Sequence, residues 1–138
     1  PENLKTSAGF LANRGRLPSP VDNASISQGY GSHKYGNVTV YNDGIFLRAP
    51  AGSAVRAVFS GDVIKVVSLF NSYTVMIRHG EYFSVYSGLK NPSVSAGQKV
   101  SVKQSLGTIA SGSEGVPELQ FQIWKGGAPI NPSSWIAR

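Results

Sequence analysis

The sequence predicts an all-β protein, a compact domain of short, mainly antiparallel strands, and three observations predict it. Short runs rich in β-branched and aromatic side chains recur, and Gly, Asn or Pro follows each within a few residues. No stretch sustains an apolar period of 3.6 residues. Charged residues are only 14% of the chain while 16 of its 138 residues are glycine, a mixture that suits a loop-rich β protein better than a helical one.

Taken in order, the first candidate strand is 38–41 (Val-Thr-Val-Tyr), and Asn42-Asp43-Gly44 turns it into the second at 45–48 (Ile-Phe-Leu-Arg). Pro50-Ala51-Gly52 separates that strand from 54–59 (Ala-Val-Arg-Ala-Val-Phe), and Ser60-Gly61 leads into 62–67 (Asp-Val-Ile-Lys-Val-Val). Asn71 reads first as a turn residue before Tyr73 and the strand 74–77 (Thr-Val-Met-Ile), which His79-Gly80 closes. The run 83–86 (Phe-Ser-Val-Tyr) follows, and residues 91–94 and 132–136 are each expected to form one helical turn. Strand alternation near the C-terminus puts Gln120, Gln122 and Trp124 on one face.

A length of 138 residues predicts one domain, large enough to bury a core without staples. Thirteen Lys and Arg against seven Asp and Glu give a net charge of +6. The basic residues are scattered singly and no nucleic-acid-binding motif accompanies them, so no nucleic-acid partner is expected. A basic surface also suits anionic envelope polymers. There is no apolar run near membrane-spanning length and no signal-peptide pattern, and the chain begins at Pro1; a fragment of a longer exported precursor is expected. The absence of cysteine fits both reducing and oxidising compartments.

From Leu17 to Ile136 the motif frame resembles the LytM or lysostaphin-type family of zinc endopeptidases, with the metal-binding side chains replaced. Where the family has His-x-Gly-Ile-Asp this chain has Asn42-Asp43-Gly44-Ile45-Phe46. Where it has Tyr-x-His-Leu and His-Leu-His-Phe-Glu-Ile, this chain has Tyr86-Ser87-Gly88-Leu89 and Glu118-Leu119-Gln120-Phe121-Gln122-Ile123. The spacing of Val94, Gly97, Val100, Leu106 and Gly107 also matches, with Lys103 at a position the family gives to glycine. Gly15-Arg16-Leu17-Pro18-Ser19-Pro20-Val21 resembles the lead-in of the EnvC-type branch. The resemblance divides the chain into a lead-in at 1–16 and a degenerate LytM-type domain at 17–138, and it implies an antiparallel sheet with an open groove.

It also implies that Asn42, Phe46 and Gln120 occupy the three ligand positions, and Gly88 and Glu118 those of the two catalytic histidines. A catalytic zinc needs three imidazole or carboxylate ligands and an open position for water. Phe46 has no donor atom and the amides of Asn42 and Gln120 are weak neutral donors, so neither a metal nor another cofactor is expected, and no peptidase activity. His33 and His79 are the only histidines; the first reads as a loop residue and the second as a strand-end residue. Asp43 and Glu118 are carboxylates that a glycosidase would need in pairs, but no sugar-site signal accompanies them.

A lost active site on a kept scaffold points to binding. The EnvC-type branch uses its former groove to switch on peptidoglycan (N-acetylmuramoyl-L-alanine) amidases in the periplasm. The resemblance therefore implies a non-catalytic activator, periplasmic or otherwise within the cell envelope, with an amidase as protein partner. The expected partner groove comprises Asn42, Asp43, Phe46, Asn71, Gly88, Glu118, Gln120 and Trp124. Phe46 and Trp124 have plain alternatives as core or turn-packing aromatics. A peptidoglycan-binding module and a residual cell-wall endopeptidase are the other function classes.

Overall fold

The computed structural model of the chain describes residues 2–69, 71–110 and 116–137, with side chains from Ser7 onward apart from Leu69. Its elements are α1 (Glu2–Ala12), β1 (Ser25–Gln28), β2 (Gly31–Tyr35), β3 (Val38–Asn42), β4 (Ile45–Arg48), β5 (Ala54–Arg56), β6 (Gly61–Leu69) and β7 (Ser72–His79). They continue with β8 (Tyr82–Lys90), β9 (Lys99–Val100), β10 (Ser105–Ile109), β11 (Glu118–Lys125), β12 (Ala128–Ile130) and a 3-10 turn at Pro132–Ser134. All six strands expected from the runs between 38 and 86 are present. The predicted all-β, antiparallel class is the observed one.

One sheet carries the architecture, in the order β1-β4-β11-β8-β7-β6-β9, with β12 beside β11 and β10 bridging β8 to β5. Alternation fixes its inner face. Ile45 and Leu47 of β4, Leu119, Phe121 and Ile123 of β11, Tyr86 and Leu89 of β8, and Val75 and Ile77 of β7 are all buried in one core. The expected strand 54–59 stops at Arg56, because Ala57 leaves the ladder to bond Gln104 and Lys103 through its backbone. The expected helical turn at 91–94 is absent: Asn91 takes a left-handed φ of 52° and bends the chain instead. The helical turn expected near 132 is the 3-10 turn, capped by the Asn131 side chain on Ser133 N.

The helix α1 was not legible in the sequence. Among its described side chains only Ser7 and Phe10 are buried, and one serine with one phenylalanine leaves no apolar period to read. Phe10 enters the core from the segment read as a lead-in. Its ring stacks on His79, Tyr82 and Trp135 at centroid distances of 4.8, 5.0 and 5.1 Å, while Ser7 Oγ accepts the Glu81 N–H at 2.7 Å. The two ends of the chain also meet: Gly15 and Leu17 both donate to the Trp135 carbonyl, and Leu17 bridges to Ile136.

His79 is fully buried at the end of β7 and both its ring nitrogens are used. Nδ1 lies 2.8 Å from the Ser60 carbonyl, which only accepts, so Nδ1 carries the proton; Nε2 then accepts from the Ser84 hydroxyl at 2.7 Å. The strand-end reading of this histidine therefore holds. Burial lowers its pKa to about 4, against smaller opposing effects of the Ser60 bond and Asp62. Nearby, burial pushes the Tyr86 phenol well up, and its oxygen accepts the Val58 N–H at 3.0 Å.

Two predictions follow from these environments. Between pH 6.5 and 4 the unfolded chain binds a proton at His79 that the folded chain refuses, so stability falls as pH falls through that window and the loss levels off below it. The full loss is roughly 3 kcal/mol, and urea titrations from pH 7 to 4 will show a steeper fall in the parent than in His79→Gln. Lys103, which stands where the family spacing has glycine, is held at a φ of 68°. Replacing it by glycine removes that strain, and Lys103→Gly is expected to raise stability by about 1 kcal/mol in the same assay.

Candidate functional site

The outer face of the central strands is set by the same alternation that fills the core. Glu118, Gln120, Gln122 and Trp124 of β11 point away from Leu119, Phe121 and Ile123 and are each partly exposed. Pairing on both edges arranges them in rows. Phe46 of β4 lies opposite Gln120, which lies opposite Ser87 of β8 and, beyond it, Thr74 of β7. Further along come the rows Gln122–Val85–Met76 and Trp124–Phe83–Arg78, while Arg48 stands opposite Glu118 at the other end.

Asn42 is the pivot beneath this strip. It is 2% exposed, at the end of β3, and its side chain ties three segments together. Its Nδ2 donates to the Gly29 carbonyl at 3.1 Å, while its Oδ1 accepts from Gly44 N at 3.1 Å and from Gln120 Nε2 at 3.2 Å. The amide of Gln120 is therefore aimed from below, and Asn42 presents no free oxygen outward.

Phe46 is only partly buried and stands outside the core cluster, on the outer face. Glu118 is held by Ser27 Oγ at 2.9 Å and faces the Arg48 guanidinium at 3.7 Å, so its charge is partly matched at the surface. Asp43 is exposed in the turn between β3 and β4. Trp124 donates its indole N–H to Gln122 Oε1 at 2.7 Å, which leaves the ring partly exposed beside Phe83.

Gly88 is an extra residue in β8, placed where the pairing with β7 shifts between Thr74–Ser87 and Tyr73–Leu89. Its φ is 100°, and a Cβ there would come 2.9 Å from the Glu118 carbonyl. The backbone has no room for a side chain at this point, so any residue with a Cβ, a histidine included, would be strained there.

The structure thus brings Asn42, Phe46, Gln120, Gly88 and Glu118 together across β3, β4, β11 and β8, puts Asp43 in the adjoining turn, and leaves two residues apart. Trp124 is four residues along β11 from Gln120, about 13 Å at strand rise, so it does not face Phe46. Asn71 lies in the β6–β7 turn with a φ of 64°, a position that its turn chemistry explains. Sequence reasoning missed Phe83, Arg78, Ser87 and Ser27, whose places depend on strand register. It also missed β2, and so the pairing of β2 with the expected strand β3, where Tyr35, Val38, Val40 and Tyr41 are exposed and the Tyr35 hydroxyl accepts from Gln28 at 2.9 Å.

The donor set does not fit zinc. Phe46 offers no ligand atom, the Asn42 oxygen is already filled by two donors, and His33 is bound through Nε2 to the Gly29 carbonyl at 2.7 Å. Among the described residues no three His, Cys, Asp or Glu side chains gather at metal-binding distance.

Comparison with known proteins places this geometry in a family. The family model of peptidase family M23 matches residues 30–132. The chain belongs to peptidase family M23. It is 34% identical over 131 residues to an uncharacterized protein of Neisseria meningitidis serogroup B, covering 93% of this chain and 21% of that protein. It is 29% identical over 139 residues to the murein hydrolase activator EnvC of Escherichia coli, covering 98% of this chain and 32% of EnvC. A zinc-containing peptidase from Vibrio cholerae shares the fold, with a TM-score of 0.76 at 23% identity over 91% of this chain and 41% of that one. The M23 chain spans about a fifth to a third of the length of the curated relatives it matches. No helix among the described residues is long and apolar enough to cross a membrane.

The burial and bonding of Asn42 give a stability prediction for this M23 domain. Asn42→Ala leaves three polar groups without their partner, and the loss is expected to be about 3 kcal/mol in urea unfolding. Gln120→Ala, which removes a partly exposed side chain from the same bond, is expected to cost less than about 1 kcal/mol.

Proposed function

We propose that this chain is a non-catalytic M23 domain that binds and switches on a peptidoglycan amidase through the outer face of β4, β11 and β8. The observation that carries the reading is Asn42. At the frame's first ligand position stands a buried amide whose oxygen serves the fold, beside a phenylalanine and a glutamine. The scaffold is intact while the means of holding a catalytic metal is gone, which favours a surface used for recognition. Likeness to an activator over nearly the whole chain supports the same reading. On this reading the protein is exported and acts in the cell envelope.

In this reading the contact surface is the strip and the groove it would floor. Phe46 and Trp124 supply aromatic anchors, Gln120 and Gln122 supply amide donors and acceptors, and Asp43 and Glu118 lie at the rim. Asn42 and Gly88 shape the strip from below, and Asn71 is more remote. Partly exposed aromatics ringed by polar groups are the usual composition of an interface core, and each anchor contributes about 2 kcal/mol or more. The polar strip and the +6 charge also favour a peptidoglycan-binding module as the second reading.

The deciding experiment measures release of labelled peptidoglycan by a purified amidase with and without this domain. Stimulation is expected, with no cleavage by the domain alone and no stoichiometric zinc by elemental analysis. Trp124→Ala and Asp43→Lys are expected to weaken amidase binding by ~2 kcal/mol, roughly thirtyfold, with the melting temperature within a few degrees of the parent. Lys65→Ala, on exposed β6, should stimulate normally. Sedimentation with insoluble peptidoglycan in the absence of amidase, without any stimulation, would instead select the wall-binding reading.

A further inference from the structure

We propose a second binding site on the opposite side of the sheet from Gln120 and Trp124, for a small peptide ending in a free carboxylate beside a small apolar side chain. Lys125 continues the inward alternation of Leu119, Phe121 and Ile123, so it projects away from the strip that carries Trp124. There it borders a cavity of about 310 Å³ shared with Arg14, Tyr82, Trp135, Leu11 and Ile130. That volume is at the lower end of the range for small-molecule sites, which suits a peptide end rather than a folded element.

The floor is rigid. Tyr82 and Trp135 are each 4% exposed, lie 5.3 Å apart between centroids, and are both stacked on Phe10. Each ring carries a cation: the Arg14 guanidinium is 5.5 Å from the Trp135 centroid and the Lys125 ammonium 5.8 Å from that of Tyr82. Among the described residues no carboxylate lines the cavity and neither cation has an ion-pair partner.

Two cations at one small cavity create a field that selects an anion. Their aromatic seats hold them in place while their outer N–H groups remain available. A guanidinium fork matches a carboxylate with two parallel hydrogen bonds, and an ammonium adds a point charge. Leu11 and Ile130 form the remaining apolar wall, where a methyl-sized side chain next to the carboxylate finds its contact. The site takes no part in the amidase reading and stands or falls without it.

The test is an NMR titration of the isotopically labelled chain with N-acetyl-alanyl-alanine, with the same dipeptide amidated at its C-terminus, and with inorganic phosphate. The acid is expected to give saturable shifts centred on the Trp135 indole and Lys125, with Kd on the order of 1 mM. The amide and phosphate should bind roughly tenfold more weakly or worse. The double variant Arg14→Gln, Lys125→Gln should lose the response to the acid, and Lys65→Ala should keep it. The proposal is overturned if the amide binds as well as the acid, if phosphate matches the acid, or if no saturable shift occurs. It is also overturned if the folded double variant binds like the parent. Should that variant lose its spectral dispersion, the acid-against-amide comparison in the parent decides.

Discussion

The structure depends on β11 being paired along both edges. β8 covers one edge from Gln120 to Lys125, while β4 and then β12 share the other. With its backbone groups satisfied on both sides, the strand cannot slip, because a shift of one residue would move Leu119, Phe121 and Ile123 out of the core. The same locked register decides which residues meet on the outer face. Phe46, Gln120 and Ser87 form a row for the reason that Leu47, Leu119 and Ile45 are buried. Core and candidate site are thus two faces of one constraint.

At two of the positions that the resemblance gives to metal ligands, this M23 domain carries amide side chains, Asn42 bonded to the backbone and Gln120 bonded to Asn42. Asn42 fills its position with three hydrogen bonds, and Gly88 is a left-handed bulge pressed against the Glu118 carbonyl. Both features make the backbone around the candidate site self-sufficient. A buried amide with every lone pair used is a better keystone than a buried imidazole without a metal, which would need partners of its own. The recognition surface proposed for this protein therefore rests on a rigid floor.

A second polar device lies at the other end of the core. His79 is kept neutral between Ser60 and Ser84, under the ring of Phe10, and that ring belongs to a helix outside the sheet. Phe10, Tyr82 and Trp135 join the start of the chain, the β8 edge and the C-terminal turn in one aromatic cluster. The N-terminal helix is consequently part of the packing that any movement of this end must break, and burial of an uncharged histidine makes that packing sensitive to acid.

The sequence by itself determined the class of fold and six of the strands, and it carried the motif frame that proposes Asn42, Phe46 and Gln120 for the ligand positions, because alternation and motif spacing are local properties of the chain. It also marked Lys103 as a position where glycine is expected, and the left-handed φ there supplies the reason. What only the tertiary structure decided is which side chains are neighbours. The distance between Phe46 and Trp124, the burial of Asn42 and the row Trp124–Phe83–Arg78 follow from strand register, a property of pairs of segments far apart in sequence. The helix at the N-terminus escaped the sequence for a related reason: one phenylalanine anchors it, and the pocket that receives that ring is assembled from β7, β8 and the last turn of the chain.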